Sequence, residues 1–257
     1  MTKGESCMEK NQDYIESQKK NWNNIAGSKN LGDNTHPDKY LAQLELDYLC
    51  KNINGKVLNV GCGMGSETDI CTKITGIQAI GVDLSEKMIE IAQTRFPHLE
   101  FKVANVLQLP FPDNSFDSVT TRRTLINILD HEDQMKAVKE LKRVLKQNGR
   151  LILIEASVEG YDRLNLARNA VGLDRIDVVK FNLPMKEDAL KLILPNSVIS
   201  YLDNYYYLTR IFYPLIEKNI QYDTQLHNAA YMLQNNIDTF FSCSPHILIT
   251  WKKSDDL

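Results

Sequence analysis

The sequence lacks an apolar run long enough to cross a bilayer, and it lacks an excess of basic residues. Its 257 residues include 30 Lys and Arg against 33 Asp and Glu, which gives a formal net charge of −3 at pH 7. Such a chain has no general attraction to nucleic acid or to anionic membranes. It also has no basic–aromatic stretch of the kind that binds RNA. We therefore expect no nucleic acid and no membrane among its partners.

Cysteine is scarce, and no pair of cysteines has the spacing of a metal site. An odd, scattered set fits reduced intracellular thiols better than a disulfide framework. The N-terminus begins Met1-Thr2-Lys3-Gly4-Glu5 and has no secretory apolar core. These absences predict a cytoplasmic protein. The five cysteines are Cys7, Cys50, Cys62, Cys71 and Cys243.

A short apolar run, Val57–Val60, ends at three glycines spaced by two, Gly61, Gly63 and Gly65, and a helical pattern follows. This order is typical of a parallel strand, a tight turn and a helix. The glycines can take the turn, let a ligand approach the backbone and let the helix pack on the strand. A dinucleotide dehydrogenase would instead carry Gly-x-Gly-x-x-Gly.

A second apolar run, Gln78–Val82, ends at Asp83, about twenty residues after Gly63. This is the spacing of a carboxylate that binds a ribose diol. Charge-assisted hydrogen bonds of this kind contribute roughly 1.5–3 kcal/mol each when they are shielded from water. The simpler interpretation of the glycines is a strand–helix turn without a ligand. The simpler interpretation of Asp83 is an acid favoured at a helix N-terminus.

Four ordered motifs make the chain resemble the class I S-adenosylmethionine-dependent methyltransferases, over roughly residues 55–156. The resemblance implies an α/β fold with a Rossmann-like, doubly wound sheet of seven strands, mostly parallel with an antiparallel last strand. One motif resembles ubiquinone-type enzymes, whereas the arginines after strand 4 resemble a less characterised subgroup associated with glycan and secondary-metabolite genes. The motifs are Val57–Gly65, Gly81–Ser85, Leu109–Asp117 and Glu140–Leu151.

The resemblance implies S-adenosylmethionine as the cofactor and S-adenosylhomocysteine as its product. We expect no metal, because the chain offers arginines near strand 4 and not the clustered carboxylates that hold a divalent ion. The glycine turn and the start of the next helix would bind the cofactor's carboxylate, and Asp83 its ribose. Asn59 and Asn105 stand where the family usually has acids, although an Asn oxygen can still accept a hydrogen bond. The expected cofactor-binding residues are Asn59, Gly61, Gly63, Gly65, Asp83, Leu84, Met88, Asn105, Val106 and Thr121.

Strand and helix patterns alternate along the chain, which predicts a parallel sheet with helices on both faces. Ser85 should cap a helix at Glu86–Arg95, and Asp130 should cap one that runs to about Leu145. Further helices are expected at Gly160–Val171 and Lys186–Ile193. The expected strands are Lys56–Val60, Gln78–Val82, Leu99–Ala104, Phe116–Thr121, Arg150–Glu155, Val198–Leu208 and Pro245–Lys252.

We expect one methyltransferase domain over residues 1–257. Trp22–Ala26 could cover the cofactor or pack elsewhere on the sheet, and Gly27–Pro37 should be a loop. The helical insertion Gln221–Phe241 could cover the substrate or form a homodimer contact. The expected parts are an N-terminal helical cap (1–50), a cofactor-binding core (51–158), a substrate-side segment (159–197) and the last strands with the insertion (198–257).

Strand 4 runs into Arg122 and Arg123, where the family's fold places the sulfonium and the acceptor. Alternate side chains of a strand share a face, so one arginine should enter the site, and we choose Arg123. Arg168 and Arg210 could converge with it at one sheet edge. The simpler alternatives are solvated arginines, a solvated helix start at His131 and an aromatic core at Tyr205–Tyr207. The expected catalytic residues are Arg123, His131 and Glu155, and the expected substrate-binding residues are Arg122, Asn127, Asn165, Arg168, Tyr206 and Arg210.

The sequence therefore predicts methyl transfer to a small polar acceptor, most favourably at oxygen. Arginine's planar fork suits an anionic acceptor such as a carboxylate, a phosphate or a nucleotide-linked sugar. N-methylation of a small amine is the alternative within the family. A non-catalytic cofactor-binding partner of a second enzyme is the alternative outside it, and Asn59 and Asn105 motivate it.

Overall fold

The computed structural model of the chain describes residues 3–27, 38–216, 227, 230–231, 234 and 243–254. Seven strands form one sheet in these residues. They are β1 (Lys56–Val60), β2 (Gln78–Asp83), β3 (Glu100–Val103), β4 (Phe116–Arg122), β5 (Leu145–Ala156), β6 (Val198–Tyr201) and β7 (His246–Lys252).

The strand order is β3-β2-β1-β4-β5-β7-β6. Strands β1 to β5 pair in parallel, whereas β7 is antiparallel to both β5 and β6. The chain moves outward from β1 to β3 and then returns to β4 on the other side of β1. Open α/β sheets bind ligands at the carboxyl ends of the strands where the order reverses in this way. This topology confirms the expected doubly wound sheet with its antiparallel last strand.

Helices cover both faces of the sheet. Ser85 and Asp130 cap two of them as expected, because their side chains accept hydrogen bonds from the backbone N–H of Met88 and of Asp133. A 3₁₀ turn (Leu125–Asn127) follows β4, and a π-helical turn spans Tyr207–Phe212. The helices are α1 (Lys3–Ala26), α2 (Lys39–Asn52), α3 (Ser66–Thr72), α4 (Glu86–Arg95), α5 (His131–Val144), α6 (Val158–Ala170), α7 (Glu187–Ile193), α8 (Asp203–Tyr206) and α9 (Tyr213–Ile216).

Strand β5 shows why the core has two sides. Leu151 and Leu153 pack in the cluster that contains Leu141 of α5. Ile152 and Ile154 pack in the cluster that contains Leu49 of α2. All of these side chains are fully buried. Successive strand residues point to opposite faces, so a continuous apolar run is what a strand covered on both sides requires.

Two expected strands differ from the observed ones by more than one residue at an end. The sixth ends at Tyr201 and not at Leu208, and Asp203 starts a helical stretch. The aromatic run favours a strand by propensity, but the Asp203 carboxylate accepts the backbone N–H of Cys243 and of Ser244, each at 2.7 Å. The fifth strand begins at Leu145, which pairs with Phe116, and not at Arg150.

Part of the C-terminal prediction falls outside the described residues. Of the expected insertion Gln221–Phe241, His227, Ala230, Tyr231 and Gln234 are described, and these are helical. The expected loop Gly27–Pro37 lies outside them apart from Gly27. No described helix is both long enough and apolar enough to span a membrane.

Candidate active site

A pocket opens at the carboxyl ends of β1, β2 and β4, where the strand order reverses. The turn after β1, the end of β2, the end of β4 and one face of α1 line it. Of the residues expected to bind a cofactor, Asn59, Gly65 and Thr121 are buried behind the pocket wall. The others line the pocket, namely Gly61, Gly63, Asp83, Leu84, Met88, Asn105 and Val106.

Gly63 is the glycine of the turn that faces open space. Its φ is +52°, and a Cβ built on it would meet no atom within 4 Å. A Cβ on Gly65 would instead come within 2.7 Å of the Phe101 ring. Gly65 therefore serves packing, whereas Gly63 leaves room for a ligand to approach the backbone.

Asp83 joins the end of β2 to this turn. Its Oδ2 accepts the backbone N–H of Gly63 at 2.9 Å, and its Oδ1 accepts that of Ser85 at 2.9 Å. Burial raises the pKa of this carboxyl, and the backbone N–H groups offset only part of that rise. Each carboxylate oxygen keeps a further lone pair, so Asp83 can still accept hydrogen bonds from a diol.

Helix α1 covers the pocket. Tyr14, Gln18 and Trp22 line it from one helix face. The Tyr14 hydroxyl donates to the carbonyl of Asn127 at 2.7 Å and accepts the N–H of Leu129 at 2.7 Å. Of the two interpretations of the N-terminal segment, the structure shows the one in which the helix lies over the site.

Near the C-terminal end of α1, Asn23 fixes the helix to the start of α4. Its side-chain oxygen accepts the Ser85 hydroxyl at 2.5 Å and the backbone N–H of Lys87 at 3.2 Å. Lys19 forms an ion pair with Glu86 of α4. The cover is therefore held by polar contacts on both sides of the pocket.

Both arginines at the end of β4 line the pocket, although only one was expected to. The alternation of side chains fails because Arg123 has a φ of +53°, in the left-handed region. Its N–H still donates to the carbonyl of Ile154 at 2.7 Å, so the strand ends in a turn that brings both side chains to one side.

Two carboxylates hold these arginines. Arg122 donates through Nε to Glu67, and its Nη1 lies 3.4 Å from Glu45 Oε2. Arg123 Nη2 lies 3.3 Å from the same Glu45 oxygen. His246 Nδ1 is 2.7 Å from Glu45 Oε1. Burial acts to raise the pKa of the Glu45 carboxyl, but Arg123, His246 and Arg122 together hold it far below its usual range.

Neither Glu45 nor Glu67 was expected from the sequence. Glu45 gave one signal, because it lies among Leu41, Leu44 and Leu49 on the buried face of α2, where an acid needs a partner. Glu67 gave no such signal, because it lies in a short polar stretch at the start of α3.

Asn59 belongs to this cluster and not to the pocket wall. Its side-chain amide donates to Glu67 Oε1 and lies 3.3 Å from Thr120 Oγ1. The amide of Asn59 therefore holds a carboxylate that reaches the pocket from α3.

Comparison with known proteins finds similarity to methyltransferases. Residues 58–153 match the family model described as a methyltransferase domain. Methyltransferase GfsG of Streptomyces halstedii is 30% identical over 137 residues, which cover 46% of this chain and 48% of that protein. Demethylmenaquinone methyltransferase of Thermotoga maritima is 37% identical over 101 residues, 39% of this chain and 43% of that protein. The chain spans about half the length of the curated relatives it matches.

Residues 58–153 are thus similar to a methyltransferase domain. Geranyl diphosphate C-methyltransferase of Streptomyces coelicolor, solved with S-adenosylhomocysteine, superposes on 93% of this chain and 98% of its own with a TM-score of 0.59 and 17% identity. The PH0226 protein of Pyrococcus horikoshii superposes on 84% of this chain and 89% of its own, with a TM-score of 0.52 and 17% identity. At such identities the likeness shows the fold alone.

The residues that line the pocket fit S-adenosylmethionine. Gly63 leaves the backbone open, and Asp83 has acceptor capacity for the ribose. Leu84, Met88 and Val106 supply apolar walls beside Asp83 for an adenine ring. Asn105 turns its side-chain oxygen to the N–H of Leu107 at 2.9 Å, which leaves its amide N–H groups as donors.

Glu155 lies outside the pocket lining. It is fully buried, and its Oε1 accepts the Thr121 hydroxyl at 2.8 Å and the N–H of Leu125 at 3.1 Å. The N–H groups of Thr124 and Ile126 also donate to this carboxylate, each at 3.2 Å. Burial raises its pKa to about 7. Glu155 and Thr121 therefore hold the turn after β4 from behind, and this turn carries Asn127, which does line the pocket.

His131 also lies outside the lining. It is the first residue of α5, and its Nδ1 is 3.0 Å from Gln134 Oε1. The solvated helix start, which was the simpler interpretation, describes its setting better than a catalytic role does.

The structure does not bring Arg168 and Arg210 to the pocket of Arg123. Arg168 donates to the carbonyls of Asp174 and Arg210, and Arg210 pairs with Asp38 at 2.8 Å. A buried guanidinium needs such partners, so these two arginines fasten the segment after β5 to α2.

The remaining expected substrate residues lie in the same region, away from the pocket. The side chain of Asn165 exchanges hydrogen bonds with the backbone of Ile176, at 3.0 and 2.8 Å. The buried ring of Tyr206 lies between the Arg210 guanidinium at 5.8 Å and the His246 ring at 5.6 Å. Tyr206 is on helix α8 and not at the end of a strand, which takes its side chain into the packing against α2.

Proposed function

We propose that the chain transfers the methyl group of S-adenosylmethionine to a small, polar, anionic acceptor that binds beside Arg123. The observation that carries the proposal is the common pocket, in which Gly63 and Asp83 stand on one side and the side chains of Arg123 and Asn127 on the other. When bound, the cofactor supplies an electrophilic methyl group. The chain would contribute alignment of the acceptor and exclusion of water by α1, and alignment can supply roughly 7–11 kcal/mol.

The pocket offers little that could act as a general base. Its lining among the described residues contains neither His nor Lys, and both of its carboxylates, Glu67 and Asp83, already accept hydrogen bonds from the protein. Burial raises the pKa of the Tyr14 hydroxyl and of the Cys62 thiol, so neither forms an anion readily. An acceptor that is already an oxyanion requires no base, and this favours O-methylation of an acid over N-methylation of a protonated amine.

Arg123 is the group suited to such an acceptor. Its Nη2 faces Glu45, whereas its Nη1 is buried and has no hydrogen-bond partner among the described residues. A buried donor without a partner costs about 1–3 kcal/mol. A substrate oxygen that accepts a hydrogen bond from Nη1 would recover that cost. It would also be held in line with the methyl group. Since Glu45 and Glu67 balance the two arginines, the recognition would be local and would not arise from a general positive potential.

The proposal is tested by incubating the purified protein with methyl-labelled S-adenosylmethionine and pools of small carboxylic acids, phosphates, nucleotide-linked sugars and amines. Mass spectrometry identifies the labelled product. The expected product is an acid methylated at oxygen, and for a carboxylate the label should be released by mild alkali. A labelled amine that resists alkali would contradict the anionic acceptor, and failure to bind S-adenosylhomocysteine in calorimetry would contradict the cofactor.

A further inference from the structure

Two cysteines from different helices lie side by side outside the pocket lining. Cys50 is near the C-terminal end of α2, and Cys71 is near that of α3. Cys71 belongs to a buried apolar cluster against which Cys50 packs, and the two thiols are within hydrogen-bond reach of each other. Neither cysteine is in a disulfide, and neither has a part in the proposed function.

The two sulfurs differ in their access to solvent. Cys50 is half-buried, so a small solute can reach its sulfur, whereas Cys71 is fully buried. Cys62 and Cys243 are also buried, but the thiol of each lies beside a backbone carbonyl, at 3.7 and 3.3 Å. Among the cysteines whose side chains the structure describes, only Cys50 and Cys71 therefore combine an accessible sulfur with a second sulfur next to it.

The contact between the two thiols makes them chemically unequal. The Cys71 thiol donates to the Cys50 sulfur and so lowers the pKa of Cys50, although burial and the carboxylates of Glu67 and Asp47 oppose this shift in part. The same hydrogen bond, together with burial, raises the pKa of the Cys71 thiol. Because the thiolate is the nucleophile in thiol chemistry, Cys50 is the sulfur that reacts first, and Cys71 keeps its proton beside it.

We propose that Cys50 and Cys71 form a reversible disulfide when the protein meets a hydroperoxide, and that this disulfide weakens cofactor binding. The disulfide stands on the thiol pair alone, whereas the effect on binding rests on the proposed function. In sum, the two thiols and one molecule of hydrogen peroxide give one disulfide and two molecules of water. Two electrons pass from the sulfurs to the peroxide oxygens, and a dithiol reductant reverses the reaction.

The reaction uses the two sulfurs in a fixed order. The Cys50 thiolate first attacks hydrogen peroxide, so that an S–O bond forms and the O–O bond breaks. The hydroxide that leaves takes up the proton that Cys50 had released, and Cys50 becomes a sulfenic acid. The Cys71 sulfur then attacks the Cys50 sulfur, so that the S–S bond forms and the S–O bond breaks. The second hydroxide takes the proton of Cys71 and leaves as water.

The effect on binding follows from the place of α3 in the fold. This helix has 7 residues and begins directly after the glycine turn that carries Gly63. Glu67, which is four residues before Cys71, lies on the same helix face and lines the pocket. A disulfide bond is about 2.05 Å long, which is shorter than a hydrogen bond between two thiols, so closure draws α3 toward α2. The glycine turn and the pocket wall move with it.

Peptide mapping tests the disulfide. The reduced protein is treated with hydrogen peroxide, its remaining thiols are alkylated, and the digest is analysed by mass spectrometry. A pair of peptides joined through Cys50 and Cys71 is expected, and dithiothreitol should separate them. Cys243→Ala, the matched control at another buried thiol, should form the same linkage. No linkage, or a linkage between other cysteines, would overturn the proposal.

Dimedone, which traps sulfenic acids, tests the order of the two steps. In peroxide-treated Cys71→Ala it should label Cys50, because no second sulfur is present to convert the sulfenic acid into a disulfide. In Cys50→Ser, Cys71 should stay unlabelled. A label on Cys71 in Cys50→Ser, or no label on Cys50 in Cys71→Ala, contradicts the assigned order.

Calorimetry with S-adenosylhomocysteine tests the effect on binding. The oxidised protein should bind this ligand about tenfold more weakly or worse, within the usual range of coupling between two sites, and dithiothreitol should restore the affinity. Peroxide should not change the affinity of Cys50→Ser. Equal affinities of the reduced and oxidised protein would overturn the effect on binding. If the reduced protein does not bind the ligand, the proposed function fails and the effect on binding fails with it, whereas a mapped disulfide stands.

Discussion

The carboxylate of Asp83 accepts a hydrogen bond from the backbone N–H of Gly63 at 2.9 Å. This bond connects the two sequence motifs that the cofactor would contact, so a change at either residue affects the other. It also fixes the turn with Gly63 at a φ of +52° and with open space where a Cβ would lie. The open side of the turn faces the pocket.

Replacement of Gly63 by Ala should reduce S-adenosylhomocysteine affinity by at least tenfold, because the added methyl group enters the space that the ligand needs. Gly76→Ala is the matched control. Its φ is +81°, a Cβ there would also meet no atom within 4 Å, and it lies outside the pocket. Both variants should lose similar stability, of about 1 kcal/mol, but calorimetry should show lost affinity only for Gly63→Ala. Equal affinities would contradict the role of Gly63.

Replacement of Glu155 by Gln should change how stability depends on pH. The Glu155 pKa rises to about 7 in the folded chain, above its value near 4.3 in an unfolded chain. Between these values the folded state holds a proton that the unfolded state has released, so stability falls as pH rises. The free energy of unfolding of the unaltered protein, minus that of Glu155→Gln, should therefore decrease between about pH 4.5 and 7 and level off above that range. Urea titrations across this range measure the difference, and a flat difference would contradict the shift.

Replacement of Asn59 by Asp should destabilise the chain and weaken cofactor binding, because it places a second carboxylate against Glu67. The paired change Asn59→Asp with Glu67→Gln restores one carboxylate and one amide to the same contact. The melting temperature of the double variant should lie well above that of Asn59→Asp alone, with a coupling of about 0.5–3 kcal/mol. Additive effects of the two changes would show that the contact has little energetic weight.

Arg123→Lys should lower kcat/KM for the natural acceptor about tenfold or more, because Lys keeps the charge but loses the planar fork. The control is Arg168→Lys, which lies outside the pocket and should affect stability more than turnover. Once an acceptor is known, steady-state kinetics give kcat/KM for both variants and test this prediction. Comparable losses of kcat/KM in the two variants would remove the reason to place the acceptor at Arg123.

Turnover should persist in excess chelator. Among the described residues, no group of three or more His, Cys, Asp or Glu side chains could hold a metal ion, and both pocket carboxylates already accept hydrogen bonds from the protein. Activity is measured before and after dialysis against a chelator, and then with magnesium added. Loss of activity that magnesium restores would contradict this prediction.

Local patterns predicted much of this molecule. The glycine turn after β1, the position of Asp83 at the end of β2 and the caps at Ser85 and Asp130 lie where they were predicted, because each depends on residues close together in sequence. The charge cluster could not be found in this way. His246 and Glu45 are 201 positions apart, and neither segment carries a pattern that predicts their contact. The same reason explains Arg168, because one of its partners, the carbonyl of Arg210, lies 42 positions away in the sequence.

The way in which Tyr14 and Asn23 hold α1 over the pocket has a kinetic consequence. A ligand enclosed beneath this helix would leave when the hydrogen bonds of Tyr14 and Asn23 are released, and such local openings cost less free energy than unfolding of the core. The spent cofactor must depart before the next one enters, so the opening of α1 would limit the steady state. A first turnover faster than all later ones would be the signature of a helix that holds its product.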